Sequence, residues 1–112
     1  MTLTAITEAI YTAIKTNVTA LNNRVFPLVA TEGTNLPFAV FERTGYNRNT
    51  KDGGILEVTF EVRIVSNTYF EGLQIADTVI DTLERTPYKA TLTGSSEEYT
   101  NDGYLQTLTF LI

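Results

Sequence analysis

The chain has 112 residues, 43% hydrophobic, 11% aromatic and 19% charged, which suits one globular domain over 1–112 with a single core. It has no cysteine and no histidine, which removes disulfides, thiolate nucleophiles, the commonest metal ligand and the commonest general base. Thirteen acidic residues against eight basic ones leave a net charge of −5, the wrong balance for gripping nucleic-acid phosphates.

In chain order, Leu3, Ile6, Ile10, Ala13, Ile14 and Leu21 recur at three and four residues and predict an amphipathic helix. Thr2 or Thr4 caps it, Asn22-Asn23 ends it, and Thr7, Glu8, Thr12 and Lys15 fall on its wet side. Residues 24–30 are rich in strand formers but contain Pro27, so they fit only an edge strand or an extended arm. Residues 36–44 predict a strand apolar on both faces, with Leu36, Phe38 and Val40 on one and Ala39 and Phe41 on the other. Such a strand is covered on both sides or meets a partner on one. Gly45 to Gly54 is polar and turn-forming, longer than a hairpin connection requires.

Leu56, Val58, Phe60, Val62 and Ile64 then alternate with Glu57, Thr59, Glu61 and Arg63, predicting a long antiparallel strand with one buried face. Thr68 and Glu71 form a capping-box pair, and Phe70, Leu73, Ala76, Val79, Ile80 and Leu83 give the apolar face of a second helix that Pro87 stops. Tyr88, Ala90 and Leu92 alternate as a further strand, Asn101-Asp102-Gly103 turns the chain, and residues 104–112 form the last strand. The expected fold is α+β, in the order α-β-β-β-α-β-β, with two helices on one face of an antiparallel sheet.

No residue constellation points to catalysis or to a cofactor. Asp77, Asp81 and Glu84 share one helical face, and Glu57 and Glu61 one strand face; both groups read as solvated surface. Neither glycine-bearing turn lies between a strand and a helix start, as a phosphate loop must. No apolar run approaches the roughly 20 residues of a membrane span, and residues 1–6 carry no basic secretion signal, so synthesis in a cytoplasm is expected. The 45–54 segment is the candidate contact arm. Tyr46, Arg48 and Lys51 supply an aromatic and two cations, with Phe41 and Arg43 on the strand before it as further candidate assembly contacts.

The layout resembles the tail-completion, or tail-terminator, proteins of the head–tail neck of tailed bacteriophages. The likeness is carried by the N-terminal helix, the segment Asn23-Arg24-Val25-Phe26-Pro27 and the stretch Asn35-Leu36-Pro37-Phe38-Ala39-Val40-Phe41. The long strand leading into the second helix and the closing hairpin complete it. The resemblance implies a non-enzymatic virion protein that forms a homo-oligomeric, six-fold ring. Such a ring joins the head connector to the tail tube and leaves a channel through which DNA passes without specific binding. Two other readings stay open: another ring-forming tail component, such as a head–tail adaptor or tube subunit, and a small protein-binding module or inhibitor.

Overall fold

The computed structural model describes residues 3–48, 56–85, 89–101 and 103–112. Thr2, Lys51, Gly53, Gly54, Pro87, Tyr88 and Asp102, on which sequence expectations rested, lie outside the described residues. The chain runs through α1 (Leu3–Asn17), a 3-10 turn (Thr19–Leu21), β1 (Val25–Pro27), β2 (Phe38–Arg48), β3 (Leu56–Ser66), α2 (Tyr69–Glu84), β4 (Thr91–Thr100) and β5 (Gly103–Leu111). Its five strands make one sheet in the order β1-β2-β3-β5-β4. The order of helices and strands is the one expected from the sequence.

The sheet is mixed rather than wholly antiparallel, because β1 runs parallel to β2. Arg24 sets this arrangement. Its carbonyl accepts from the Ala39 amide at 2.9 Å, and its Nε donates to the Pro37 carbonyl at 2.9 Å. The starts of β1 and β2 are thereby held side by side, and the intervening chain must return to where it began. Pro27 stands at the last position of this short edge strand, where its missing N–H does least harm.

Both helices pack against one face of the sheet. Ile6, Ile10, Ile14, Val18 and Leu21 meet Val58, Phe60, Val62 and Ile64 of β3 and Leu108 and Phe110 of β5 in one core. Phe60 and Phe110 stack at its centre, ring centroids 5.3 Å apart and planes 15° from parallel. The N-terminal helix ends at Asn17, four residues short of Leu21, and the chain tightens into the 3-10 turn that still buries Leu21. Asn22 and Asn23 take φ of 50° and 65°, a left-handed conformation that asparagine tolerates better than most residues, and so end the segment.

In α2 the Thr68 hydroxyl accepts from the Glu71 amide at 3.2 Å, while the Glu71 carboxylate accepts from the Asn67 amide at 3.1 Å. That is the predicted cap with its return bond shifted back by one residue. The buried face of α2 is Gly72, Ile75, Ala76, Val79 and Leu83. Phe70, expected inside, is 72% exposed. Gly72 explains the rotation: it lies so close to β3 and β5 that a Cβ there would stand 2.6 Å from the Ser66 Oγ and 3.4 Å from the Gln106 Cγ.

Two strand boundaries also move. β2 continues through Gly45, Tyr46, Asn47 and Arg48, paired with Thr59, Val58, Glu57 and Leu56, so the first part of the expected loop belongs to the ladder. A bulge between Arg43 and Gly45 lets this polar stretch stay paired by absorbing one residue of mismatch. β4 begins at Thr91 and runs to Thr100 through Gly94-Ser95-Ser96-Glu97-Glu98, later than the expected Tyr88–Leu92 alternation. It is an edge strand with most residues exposed, so it needs no apolar face.

Candidate assembly surfaces

Of the five residues singled out from the sequence, Lys51 lies outside the described residues, and the other four are placed as follows. Phe41 is 6% exposed and packs on the Tyr11 ring at 5.8 Å, so it belongs to the core. Arg43 is exposed on β2, opposite Phe60 in the ladder. Tyr46 and Arg48 are paired strand residues, opposite Val58 and Leu56. The apolar outer face of β2 is covered from within: Phe26 of β1 meets Phe38 edge-on at 6.5 Å, and Val40 beside it is buried.

The acidic groups likewise resolve into structure. Glu42 and Glu61 stand directly opposite each other on β2 and β3, an unfavourable pairing of like charges. Arg63 offsets it by reaching Glu42 at 2.5 Å and Glu61 at 3.3 Å, all three half-buried. Asp77, Asp81 and Glu84 are exposed, with Asp81 paired to Arg85 at 2.5 Å. Among the described residues no group of three acidic side chains is placed to hold a metal ion.

Among the described residues two apolar surfaces stand open, and they are unlike each other. One is aromatic and lies where α2 begins and the β4–β5 hairpin turns. Phe70, Tyr69, Tyr104 and Tyr99 form a chain of ring contacts at 5.5, 6.2 and 4.9 Å. Phe70 and Tyr99 are 72% and 71% exposed. Tyr69, Glu97, Tyr99, Tyr104 and Gln106 line a shallow pocket of about 220 Å³ there. Gln106 Nε2 donates to Glu97 Oε2 at 2.9 Å, and Tyr69 lines the pocket beside the same carboxylate. These two neighbours, Gln106 first, hold the Glu97 carboxyl below its ordinary range. The Tyr69 phenol is raised, first by the Glu97 carboxylate.

The second surface is a groove of about 250 Å³ between the start of α1 and the end of β1, floored by the aliphatic Ile6, Ile10 and Val58 and the rings of Phe41 and Phe60, with Thr7, Glu42 and Arg43 on its rim. Leu28 lines it, and Leu28 and its neighbour Val29 are 65% and 71% exposed. The aromatic surface sits at the β4 edge, level with Ser66 of β3; the groove sits toward the β1 edge, level with Phe60. Six residues of strand separate those levels, roughly 20 Å at 3.3 Å per residue. The two surfaces are therefore displaced both across the sheet and along it.

The aromatic surface went unrecognised in the sequence because its members come from three elements. One signal pointed to it. The sequence Asn101-Asp102-Gly103 marks a hairpin, and the pairing of Thr100 with Gly103 puts Tyr99 opposite Tyr104 and Glu97 opposite Gln106. No protein-family model matches the chain, and no curated protein matches it.

Proposed function

We propose that this chain is a non-enzymatic structural protein of the phage head–tail neck, whose copies close into a ring that terminates the tail tube and meets the head connector. The observation that carries the reading is the pair of unlike apolar surfaces at opposite edges of one sheet. Two copies joined through a single self-complementary patch stop at a dimer. Two different patches displaced across the subunit favour head-to-tail association, which closes as a ring or runs on as a filament. The element order supports the likeness to tail-completion proteins, and that likeness sets the expected number of copies at six. A ring of acidic subunits gives DNA a conduit to which its phosphates do not adhere.

Negative-stain microscopy and native mass spectrometry across a range of concentrations test the proposal. Closed rings one subunit thick are the expected result. Unlimited stacking assigns the chain to the tube instead, and a monomer at every concentration refutes ring formation. Phe70→Ser with Tyr99→Ser should block ring closure while leaving the melting temperature nearly unchanged, since both side chains are largely exposed in the single chain.

A further inference from the structure

The pocket at the start of α2 joins π faces to a fixed negative charge. Tyr69, Tyr99 and Tyr104 present rings, and Glu97 lies among them, held by Gln106. Its neighbours favour the ionised carboxylate, so the pocket stays anionic at neutral pH. Aromatic faces attract cations through their quadrupoles, and a carboxylate adds a directional acceptor. Glu97 and its neighbour Glu98 line the pocket among aromatic rings, too few oxygen ligands for a hard metal ion, which needs six or more, but suited to an organic cation.

Glu97, Glu98 and Tyr99 of β4 line the pocket, and β4 ends the sheet with no strand beyond it among the described residues. Glu97 and Tyr99 lie two residues apart on β4, opposite Gln106 and Tyr104, and so share the helix-side face. A segment paired with the outer edge of β4 would lay alternate side chains on that same face, beside Glu97 and Tyr99. Glu98 on the opposite face makes the whole edge complementary to a basic strand.

We propose that this pocket receives an arginine or lysine side chain from an extended segment of a partner protein, added alongside β4 as a sixth strand. The site shares Tyr69, Tyr99 and Tyr104 with the surface given to ring contacts, so a basic strand and a ring neighbour would compete for it; peptide binding is scored on the free chain, and its outcome is separate from that of ring formation.

The full chain, labelled with nitrogen-15, would be titrated with the peptide acetyl-Thr-Val-Arg-Val-Thr-amide and followed by NMR. The matching peptide with citrulline in place of arginine keeps the shape and removes the charge. The arginine peptide should move the ring signals of Tyr69, Tyr99 and Tyr104 and the amides of residues 94–99. Citrulline should bind at least about tenfold more weakly, the worth of one charge-assisted hydrogen bond. Glu97→Gln should weaken the arginine peptide to a similar degree with unchanged circular dichroism, and Tyr99→Ala should weaken it too with unchanged circular dichroism and melting temperature. Equal binding of the two peptides, or shifts confined to other parts of the sheet, overturns the proposal. So does methylguanidinium alone binding as tightly as the arginine peptide, because the edge strand would then contribute nothing.

Discussion

Gly72→Ala should destabilise the protein, against the ordinary expectation for a helix. Alanine is favoured over glycine by about 1 kcal/mol in a helix interior, and Gly72 lies within α2. The new methyl carbon, however, would stand 2.6 Å from the Ser66 hydroxyl oxygen, and Ser66 is fully buried. That hydroxyl has little freedom to leave, since it donates at 2.8 Å to the Thr68 carbonyl at the start of the helix. Overpacking of this kind costs about 1–3 kcal/mol, so the net change is a loss of about 1 kcal/mol, or a fall in melting temperature of about 4 °C. Ser66→Ala alone removes one buried hydrogen bond and costs about 1 kcal/mol. In the double variant the offending oxygen is gone and the nearest Ser66 atom to the new carbon is the Cβ at 3.6 Å, an ordinary contact. The helix gain then offsets the lost hydrogen bond, and the double variant should melt close to the wild type. Denaturant unfolding of all four proteins would therefore give a favourable coupling of about 2 kcal/mol. A stabilising Gly72→Ala, or coupling below about 0.3 kcal/mol, would refute the close seating of α2 on β3.

Phe60→Ala should cost about 3–5 kcal/mol in chemical denaturation, since the ring is buried and stacked on Phe110. Glu61→Ala should stay within about 0.5 kcal/mol, because Arg63 keeps Glu42 and the opposed pair of carboxylates is relieved. Replacing residues 45–54 with a two-residue turn should lower the melting temperature, as it takes away the strand partners of Leu56–Thr59. Deleting only residues 50–54 leaves Arg48 opposite Leu56 with two residues between them, and should leave the melting temperature nearly unchanged. The Glu97 carboxyl should titrate below the ordinary glutamate range by NMR, and Gln106→Ala should return it toward that range. The depressed value means that its interactions, the Gln106 hydrogen bond first, support the fold above the unfolded-state pKa and lose that support as pH falls through the folded-state value.

Strong alternation was readable wherever a strand buries one face completely. β3 stands in the middle of the sheet with helices on one side, so Val58, Phe60, Val62 and Ile64 carry the pattern without interruption. β4 has most of both faces in water, and the stretch Thr-Gly-Ser-Ser-Glu-Glu holds no apolar residue to alternate. Its strand character comes from pairing with β5, which no local window contains. Gly45 and Asn47 read as turn formers for the same reason: the β3 partner that keeps them extended lies beyond the turn. The face of α2 was misjudged by about one residue because periodicity counts side chains, and Gly72 has none. Its contribution is the space it leaves for Ser66 and Gln106.

The edges of this sheet constrain what it can assemble with. β1 is three residues long and ends in proline, so it makes a poor template for a further strand. β4 is ten residues long and its outer side is open, which would invite pairing with the β4 of a second copy. Two β4 strands side by side would bring Glu97 and Glu98 of each copy into one small area, with no Lys or Arg on the strand to compensate. Like charges across a strand pair are destabilising, so the edge discriminates against itself while remaining open to a basic strand. On the proposed ring reading, contacts between copies come from side-chain surfaces, and among the described residues the aromatic patch and the groove beside α1 offer apolar area. Because those two are unlike and lie at opposite edges, association built on them runs head to tail, and its geometry rather than its strength decides whether it closes.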